Sequence, residues 1–200
     1  MQPTHSASDA VAGQGDLPRF AVVDIETSGL STRRHRILQL AVVTVEGGEV
    51  TDEWSSLIRM RWPWQRVGPR AVHGISRSQL RTAPARHDVL AELSRRLAGS
   101  VFTAHNARFD WAFVERDALR SGISLTPARR LCTLQLSRHL DPERSLSHRL
   151  GDVCARFGVV NDRPHDALHD ARATAAILLT LLREHGVRSP ADLEPLYEAP

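Results

Sequence analysis

The sequence predicts an α/β fold: a single domain with a mixed central sheet, an antiparallel meander joined to parallel strands, flanked by helices. Three observations predict it. Short apolar, partly β-branched runs open the ordered part of the chain, a Gly-Gly pair separates two of them, and beyond residue 85 helical and strand-like patterns alternate. Two hundred residues can bury a substantial core in one domain. The balance of 42% hydrophobic and 24% charged residues is that of an ordinary globular chain, with no internal repeat to divide it.

Residues 1–17 are small and polar without periodicity and read as a disordered leader. Phe20 to Ile25 is a first strand, Ile37 to Val45 a second, and Glu49 to Ile58 a third, with Gly47-Gly48 turning the chain between the last two. Arg59 to Gly74, with Pro63 and Pro69, reads as loop. Ala85 to Ala98 has helical spacing, because Val89, Leu90, Leu93 and Leu97 share one face. Val101 to Ala104 is a short buried strand, and Ala107 to Leu119 a helix stopped near Gly122. Leu131 to Leu134 fits a strand or a helix start equally well. Leu146 to Phe157 reads as helix closed by Gly158, and His165 to His185 as a long Ala- and Leu-rich helix capped by Gly186. The domain is thus expected over 18–186, with 187–200 as a short tail, either one more helix or exposed chain.

Cys132 and Cys154 make no disulfide framework and lack metal-ligand spacing, which fits a reducing compartment. No apolar run reaches the roughly 18–20 residues that span a bilayer, and the start lacks a basic n-region and an apolar h-region. The expectation is a cytoplasmic protein with no membrane partner. All 26 basic residues are Arg, which a GC-rich genome alone would produce. Their placement is more informative. No acidic residue lies between Trp54 and His87, where Arg59, Arg61, Arg66, Arg70, Arg77, Arg81 and Arg86 fall, nor from Ala118 to Leu140, where Arg120, Arg129, Arg130 and Arg138 fall. Such surfaces suit a polyanion held by its phosphates, although a solvated basic face needs no ligand.

Against this basic background stand three short acidic motifs. Asp24-Ile25-Glu26-Thr27-Ser28-Gly29-Leu30 closes the first strand. Period two places Asp24 and Glu26 on one face, and the glycine permits close backbone approach to a ligand. Alone, the pair also fits a strand entering a polar turn. His105-Asn106-Ala107-Arg108-Phe109-Asp110 puts Asp110 in the first turns of the helix after the Val101 strand, a favoured place for sites in open sheets. A first-turn acid favouring the helix dipole is the plainer account of it. In His165-Asp166-Ala167-Leu168-His169-Asp170-Ala171, five helical steps would turn His165 about 140° away from Asp170. The two can share a site only if His165 lies in the loop before the helix, and Pro164 supports a helix start there. Asp166 then reads as an N-cap. If the motifs converge, a divalent metal is the simplest way to hold carboxylates that otherwise repel.

These motifs resemble those of the DEDDh branch of the DnaQ-like 3′→5′ exonucleases, which includes polymerase proofreading subunits. The family's Asp-x-Glu-Thr-x-Gly-Leu, His-Asn-x-x-Phe-Asp and His-x-Ala-x-x-Asp-Ala are matched in order, over roughly residues 18–185. Val72 to Ser76, Leu131-Cys132-Thr133 and Leu150 to Val159 are smaller likenesses. A sister branch carries Tyr four residues before the last Asp, but that position is Asp166 here and the only tyrosine is Tyr197, so the His branch fits.

The resemblance implies a ribonuclease H-like fold and a catalytic set of Asp24, Glu26, Asp110, His165 and Asp170. The four acids would hold two Mg²⁺ or Mn²⁺, and His165 would act as general base. It implies substrate contacts for Thr27, Gly29, Leu30, His73, Asn106 and Phe109, with Leu30 as an apolar wedge between the last two bases and His73, Asn106 and Phe109 lining a terminal-nucleotide pocket. Core packing, or turn chemistry for Asn106, explains these residues as well. The implied activity is removal of nucleoside 5′-monophosphates from 3′ ends of DNA, single-stranded or mismatched, in proofreading or repair, with a DNA polymerase subunit as a candidate partner. The alternatives are the same chemistry on RNA and a non-catalytic polymerase-accessory module; the filled catalytic set disfavours the second. No clamp-binding Gln-x-x-Leu-x-Phe peptide follows residue 185. One segment departs from the family: Arg59-Met60-Arg61-Trp62-Pro63-Trp64-Gln65-Arg66 stands where many relatives have an Asn-Pro-type loop. Interleaved Trp and Arg can stack on and grip single-stranded nucleic acid, or simply pack beneath the loop.

Overall fold

The computed structural model describes residues 17–60, 62 and 64–199. The leader expected over 1–17 therefore lies outside the described residues except for Leu17, which is buried in the core.

Five strands form one sheet in the order β3-β2-β1-β4-β5: β1 Phe20–Thr27, β2 Ile37–Glu46, β3 Glu49–Leu57, β4 Val101–Ala104 and β5 Arg129–Cys132. The expected meander is present. β1 pairs antiparallel with β2, from Phe20↔Val45 to Ile25↔Leu40, and β2 pairs antiparallel with β3. β4 and β5 add in parallel on the other side of β1, completing the mixed sheet. β1 and β2 are nearly continuous runs of β-branched and aliphatic residues because both of their faces are covered. β3 is the edge strand, and its mostly exposed Glu, Asp and Thr side chains discourage pairing with another chain.

Helices α1 Arg70–His73, α2 Arg77–Thr82, α3 Arg86–Leu97, α4 Ala107–Arg120, α5 Thr133–His139, α6 Leu150–Arg156, α7 Ala167–Glu184 and α8 Pro190–Leu193 pack around it, and a 3-10 turn at Glu194–Leu196 follows α8. The strands' alternation sorts the core into two layers. Phe20, Val22, Ala41 and Val43 point to the face covered by α7, where Ala171, Ala175, Ile177, Leu178 and Leu181 meet them. Ala21, Val23, Ile25, Leu40 and Val42 point to the face covered by α3 and α4, against Leu90, Leu93, Phe113 and Val114.

The structure corrects three readings of the sequence. The segment from Arg59 to Gly74 is not all loop, because α1 forms within it. α2 follows, started by a capping box in which the Ser76 hydroxyl accepts from the Gln79 amide. The helix expected from Leu146 begins only at Leu150. The Asp141 carboxylate accepts from the Ser145 and Leu146 amides at 3.3 and 2.9 Å and holds that stretch in a turn. The last helix starts at Ala167 rather than at His165 as its apolar pattern suggested, and His165, with a left-handed φ of 67°, lies in the loop before the N-cap Asp166, where the motif spacing requires it. The ambiguous Leu131 to Leu134 is both things: β5 ends at Cys132 and α5 starts at Thr133.

The tail is folded. Tyr197 bridges Leu131, and the Glu198 amide donates to the Arg130 carbonyl at 2.9 Å. Glu194 and Glu198 come within 3.8 Å of Arg129 and Arg130, so the second acid-free stretch of sequence is not acid-free in space. Cys132 and Cys154 are buried free thiols. Among the described residues no helix is long and apolar enough to cross a membrane.

Leu178, fully buried on α7 against the sheet, is a point on which this layer can be tested. Leu178→Ala is expected to cost about 2–5 kcal/mol, read as a lower midpoint in urea with an unchanged slope.

Candidate active site

The parity that sorts the core also builds the site. Phe20 and Val22 face α7, so Asp24 and Glu26, the next residues of that parity, emerge on the same side where β1 runs out. A register shift between Glu26 and Thr27 ends regular pairing with β2, and the Thr27 hydroxyl then donates to the Gly29 carbonyl at 2.9 Å. Gly29 has φ 151°, and a Cβ there would lie 2.6 Å from the His35 ring, so the turn requires glycine. β4 runs parallel to β1 and ends beside it. Asn106, at φ 76°, reverses the chain into α4, which brings Asp110 to the same carboxyl edge of the sheet in the helix's first turn.

The third motif arrives from α7. The Asp166 carboxylate caps the helix by accepting from the Leu168 and His169 amides at 3.1 and 3.4 Å. His165, exposed and just outside the helix, stands beside Asp170 as the spacing argument requires. Its backbone N–H donates to Asp170 Oδ2 at 2.9 Å. The ligand atoms of Glu26, His165 and Asp170 all lie within 4.8 Å of one another.

One cavity of about 480 Å³ gathers the motifs. Asp24, Glu26, Asp110, His165 and Asp170 all line it, as do Thr27, Gly29, Leu30, His73 and Phe109. Phe109 packs on Phe113 at 5.1 Å between ring centroids, and Leu30 projects outward, 82% exposed. Asn106 is the exception. It is exposed and is not among the lining residues, and its left-handed backbone, which Asn tolerates, accounts for its presence in the motif.

Electrostatics set what the cavity can hold. Burial, then the Asp110, Asp170 and Glu26 carboxylates, push Asp24 well above the usual range. Burial, then Asp170 and Asp166, push Glu26 up to about 8. Burial also raises Asp110, although hydrogen bonds from its own backbone and that of Ile25 pull it down. A group of carboxylates each held against its charged form is the donor set of a hard divalent cation, which removes the repulsion that raises them. The residues present therefore fit the divalent metal.

Both histidines of the cavity wall other than His165 are already engaged. His73 accepts from the Ile75 amide through Nδ1 at 3.0 Å, and its Nε2 lies 3.2 Å from the Val67 carbonyl. Burial lowers its pKa, so it is a neutral, fully bonded wall residue. His105 also lines the cavity, bonded to the Thr133 hydroxyl at 3.0 Å and the His148 carbonyl at 2.9 Å, and burial lowers it too.

Two supporting residues escaped the sequence reading. Asn161 donates through Nδ2 to Asp170 Oδ1 at 2.6 Å, so both oxygens of that carboxylate are oriented by the protein. Gln39, opposite Glu26 in the sheet, accepts from the Ala167 amide at 3.3 Å and ties β2 to the start of α7. Nothing in single-sequence spacing marks either, since each acts from a different motif than the group it orients.

Comparison with known proteins agrees with the resemblance drawn from the motifs. A family model, RNase_T, described as Exonuclease, matches residues 21–178. A DNA polymerase III PolC-type of Staphylococcus epidermidis is 31% identical over 179 residues, which are 87% of this chain and 12% of that protein. The chain thus spans about an eighth of the length of that relative. The structure of Exonuclease X in complex with 5′ overhanging duplex DNA superposes with a TM-score of 0.66 at 25% identity, covering 87% of this chain and 98% of that one. The nuclease domain of 3′hExo, a DEDDh family member bound to rAMP, gives a TM-score of 0.71 at 16% identity over 84% of this chain and 93% of its own. At that identity the second match establishes the fold, which is that of the ribonuclease H-like exonucleases.

The raised Glu26 carboxyl has a measurable consequence. Its folded pKa of about 8 exceeds the unfolded value, so its favourable contribution is present below the unfolded pKa and is lost as pH rises towards 8. In EDTA, Glu26→Gln should therefore raise the melting temperature at pH 8 by roughly 2–8 °C, with little gain near pH 5. An equal shift at both pH values would mean that the repulsion is not relieved by protonation.

Proposed function

This chain belongs to the RNase_T exonuclease family, and from that premise we propose that it is a 3′→5′ exonuclease acting on single-stranded or mismatched DNA ends. The observation that supports this reading best is the convergence of Asp24, Glu26, Asp110 and Asp170 with His165 in one cavity at the carboxyl edge of the sheet. The carboxylates of Asp24, Glu26, Asp110 and Asp170 would hold two divalent cations, Mg²⁺ or Mn²⁺. Their chemistry when bound is neutralisation of phosphate charge and activation of water.

The chain's own residues would do the rest. The His165 imidazole, exposed at the cavity mouth and outside the rigid helix, accepts a proton from the attacking water. The water oxygen bonds to the terminal phosphorus, the bond from phosphorus to the 3′-oxygen breaks, and a nucleoside 5′-monophosphate leaves. Asp170, its two oxygens fixed by Asn161 and the His165 amide, stays in place while the base moves. Leu30 reaches out from its turn to insert beside the terminal base, and Phe109 and His73 form the pocket wall.

The exonucleases of known structure to which this fold is similar include complexes with DNA and with a ribonucleotide. Association with a polymerase is supported by the PolC-type relative, and a cytoplasmic setting follows from the same reading. The same chemistry on RNA is the reading to separate first, and a panel of single-stranded DNA, duplex DNA with a mismatched end and short RNA separates it. Faster turnover of RNA than of either DNA would overturn the DNA assignment.

Asp24→Ala is expected to abolish turnover on every substrate, and EDTA to do the same reversibly. His165→Ala should lower kcat by about 10²–10⁴-fold while the midpoint of unfolding stays put. Turnover that survives EDTA would exclude metal-assisted hydrolysis. Asn161→Ala, which frees one oxygen of Asp170, is expected to weaken Mn²⁺ binding about 10–100-fold by titration calorimetry.

A further inference from the structure

The Trp-Arg loop that departs from the family is not absorbed by the reaction. It forms one wall of a second cavity, about 720 Å³, whose other wall carries Ser28, Arg34 and Arg36. Trp62, Trp64 and Arg66 contribute from the loop. The two indoles stack with centroids 5.0 Å apart and planes 15° from parallel, and Trp64 remains 73% exposed. Indoles presented to water in this way offer a flat π surface with no core to fill.

The arginines here differ from those that the fold holds in ion pairs. Arg96 is paired with Asp52 and Glu92, Arg172 with Glu53, and Arg129 and Arg130 with the tail glutamates. Among the described residues no carboxylate pairs with Arg34, Arg36 or Arg66, and none lines this cavity. The charge is therefore uncompensated where the indoles are exposed.

The groove also adjoins the catalytic cavity. Ser28 lines the one, and its neighbours Gly29 and Leu30 line the other. The loop is seated on that shared segment. Gly68, at φ 85°, comes so close that a Cβ would lie 2.5 Å from the Ser28 carbonyl oxygen. Arg77 donates to the carbonyls of Trp62 and Gln65 and holds the loop from the other side.

We propose that this groove is a second nucleic-acid subsite, which holds nucleotides of the substrate strand on the 5′ side of the last two. Bases stack on Trp64, and Arg34, Arg36 and Arg66 bind the phosphates. The inference rests on the exonuclease reading for its direction, since the terminal nucleotide must lie in the acidic cavity. An acidic protein surface would satisfy the arginines but would leave the stacked indoles unused.

The test compares a dinucleotide with a single strand of about twenty nucleotides, long enough to fill both cavities. For Trp64→Ala and for the double variant Arg34→Ala/Arg66→Ala, kcat/KM on the dinucleotide should stay within about twofold, whereas KM on the long strand rises roughly 5- to 100-fold. Trp64→Phe should restore most of the loss, because it keeps the stacking surface. In the double variant the dependence of log K on log salt should become shallower by about 1.4, two single-strand phosphate contacts. Equal effects on both substrates, or none on either, would overturn the subsite. If the wild type cleaves neither substrate, the catalytic reading fails by itself. The groove is then judged by anisotropy of the labelled long strand in EDTA, where unchanged binding by the variants overturns it. Competition by polyglutamate as strong as that by unlabelled oligonucleotide would overturn the nucleic-acid assignment in favour of an acidic protein surface.

Discussion

α7 lies along the face of β1 that carries Phe20 and Val22, and this contact holds the acidic motifs in register. The helix is small where it nears the site, with Ala167, Ala171, Thr174 and Ala175 buried, and larger farther on, with Ile177, Leu178, Leu181 and Leu182. Small residues let a helix approach a sheet closely. The end that carries Asp170 can thus come down onto the strand end that carries Asp24 and Glu26, while the far end supplies most of the apolar burial. Gln39 fixes the helix start from β2, and parallel pairing of β4 beside β1 delivers Asp110 to the same edge. Asp170 and Asp110 are held by elements packed on opposite faces of the sheet, so the cavity forms only when both layers are in place.

That arrangement works against itself electrostatically. Burial raises Asp24 and Glu26, and the neighbouring carboxylates gathered from other elements add to the effect. The fold does not answer with a buried cation of its own: among the described residues no Arg lines the acidic cavity. It answers with hydrogen bonds to particular oxygens, above all those from Asn161 and the His165 amide to Asp170. Such bonds orient a carboxylate without neutralising its neighbours, which leaves the charge of the cluster for a divalent ion to compensate. A salt-bridged cluster would be more stable without metal and would bind metal less well.

Much of this was legible in the sequence because it follows from short-range periodicity. The meander, the β4–α4 unit and the position of His165 outside its helix all come from spacing that two or three turns of chain determine. The readings that failed depend on side chains reaching across several residues to the backbone. Asp141 unwinds what looked like the start of α6, and Ser76 with Gln79 starts α2 inside a stretch without apolar periodicity. Asn106 lies off the cavity wall for a related reason. Its motif position resembled a ligand contact, but what the chain needs there is a residue tolerant of φ 76°. Asn161 and Gln39 were out of reach, since their roles exist only once Asp170 and α7 are positioned in space.

The distribution of arginine carries the last step. Without its metal an acidic cavity repels a phosphodiester, and positive charge outside the cavity adds long-range attraction for a polyanion. Net charge is a poor guide, because the tail glutamates neutralise Arg129 and Arg130, and β3 acids pair with Arg96 and Arg172. Arg34, Arg36 and Arg66, with which no carboxylate pairs among the described residues, lie on the Ser28 side of the site, across one peptide segment from the carboxylates. In the proposed subsite, positive charge placed there would give the substrate a direction as well as an affinity: the strand body would be drawn to the arginines, and only its end would enter the region of negative charge. A uniformly basic surface would bind the same strand in any orientation and would give its terminus no preference for the acidic cavity.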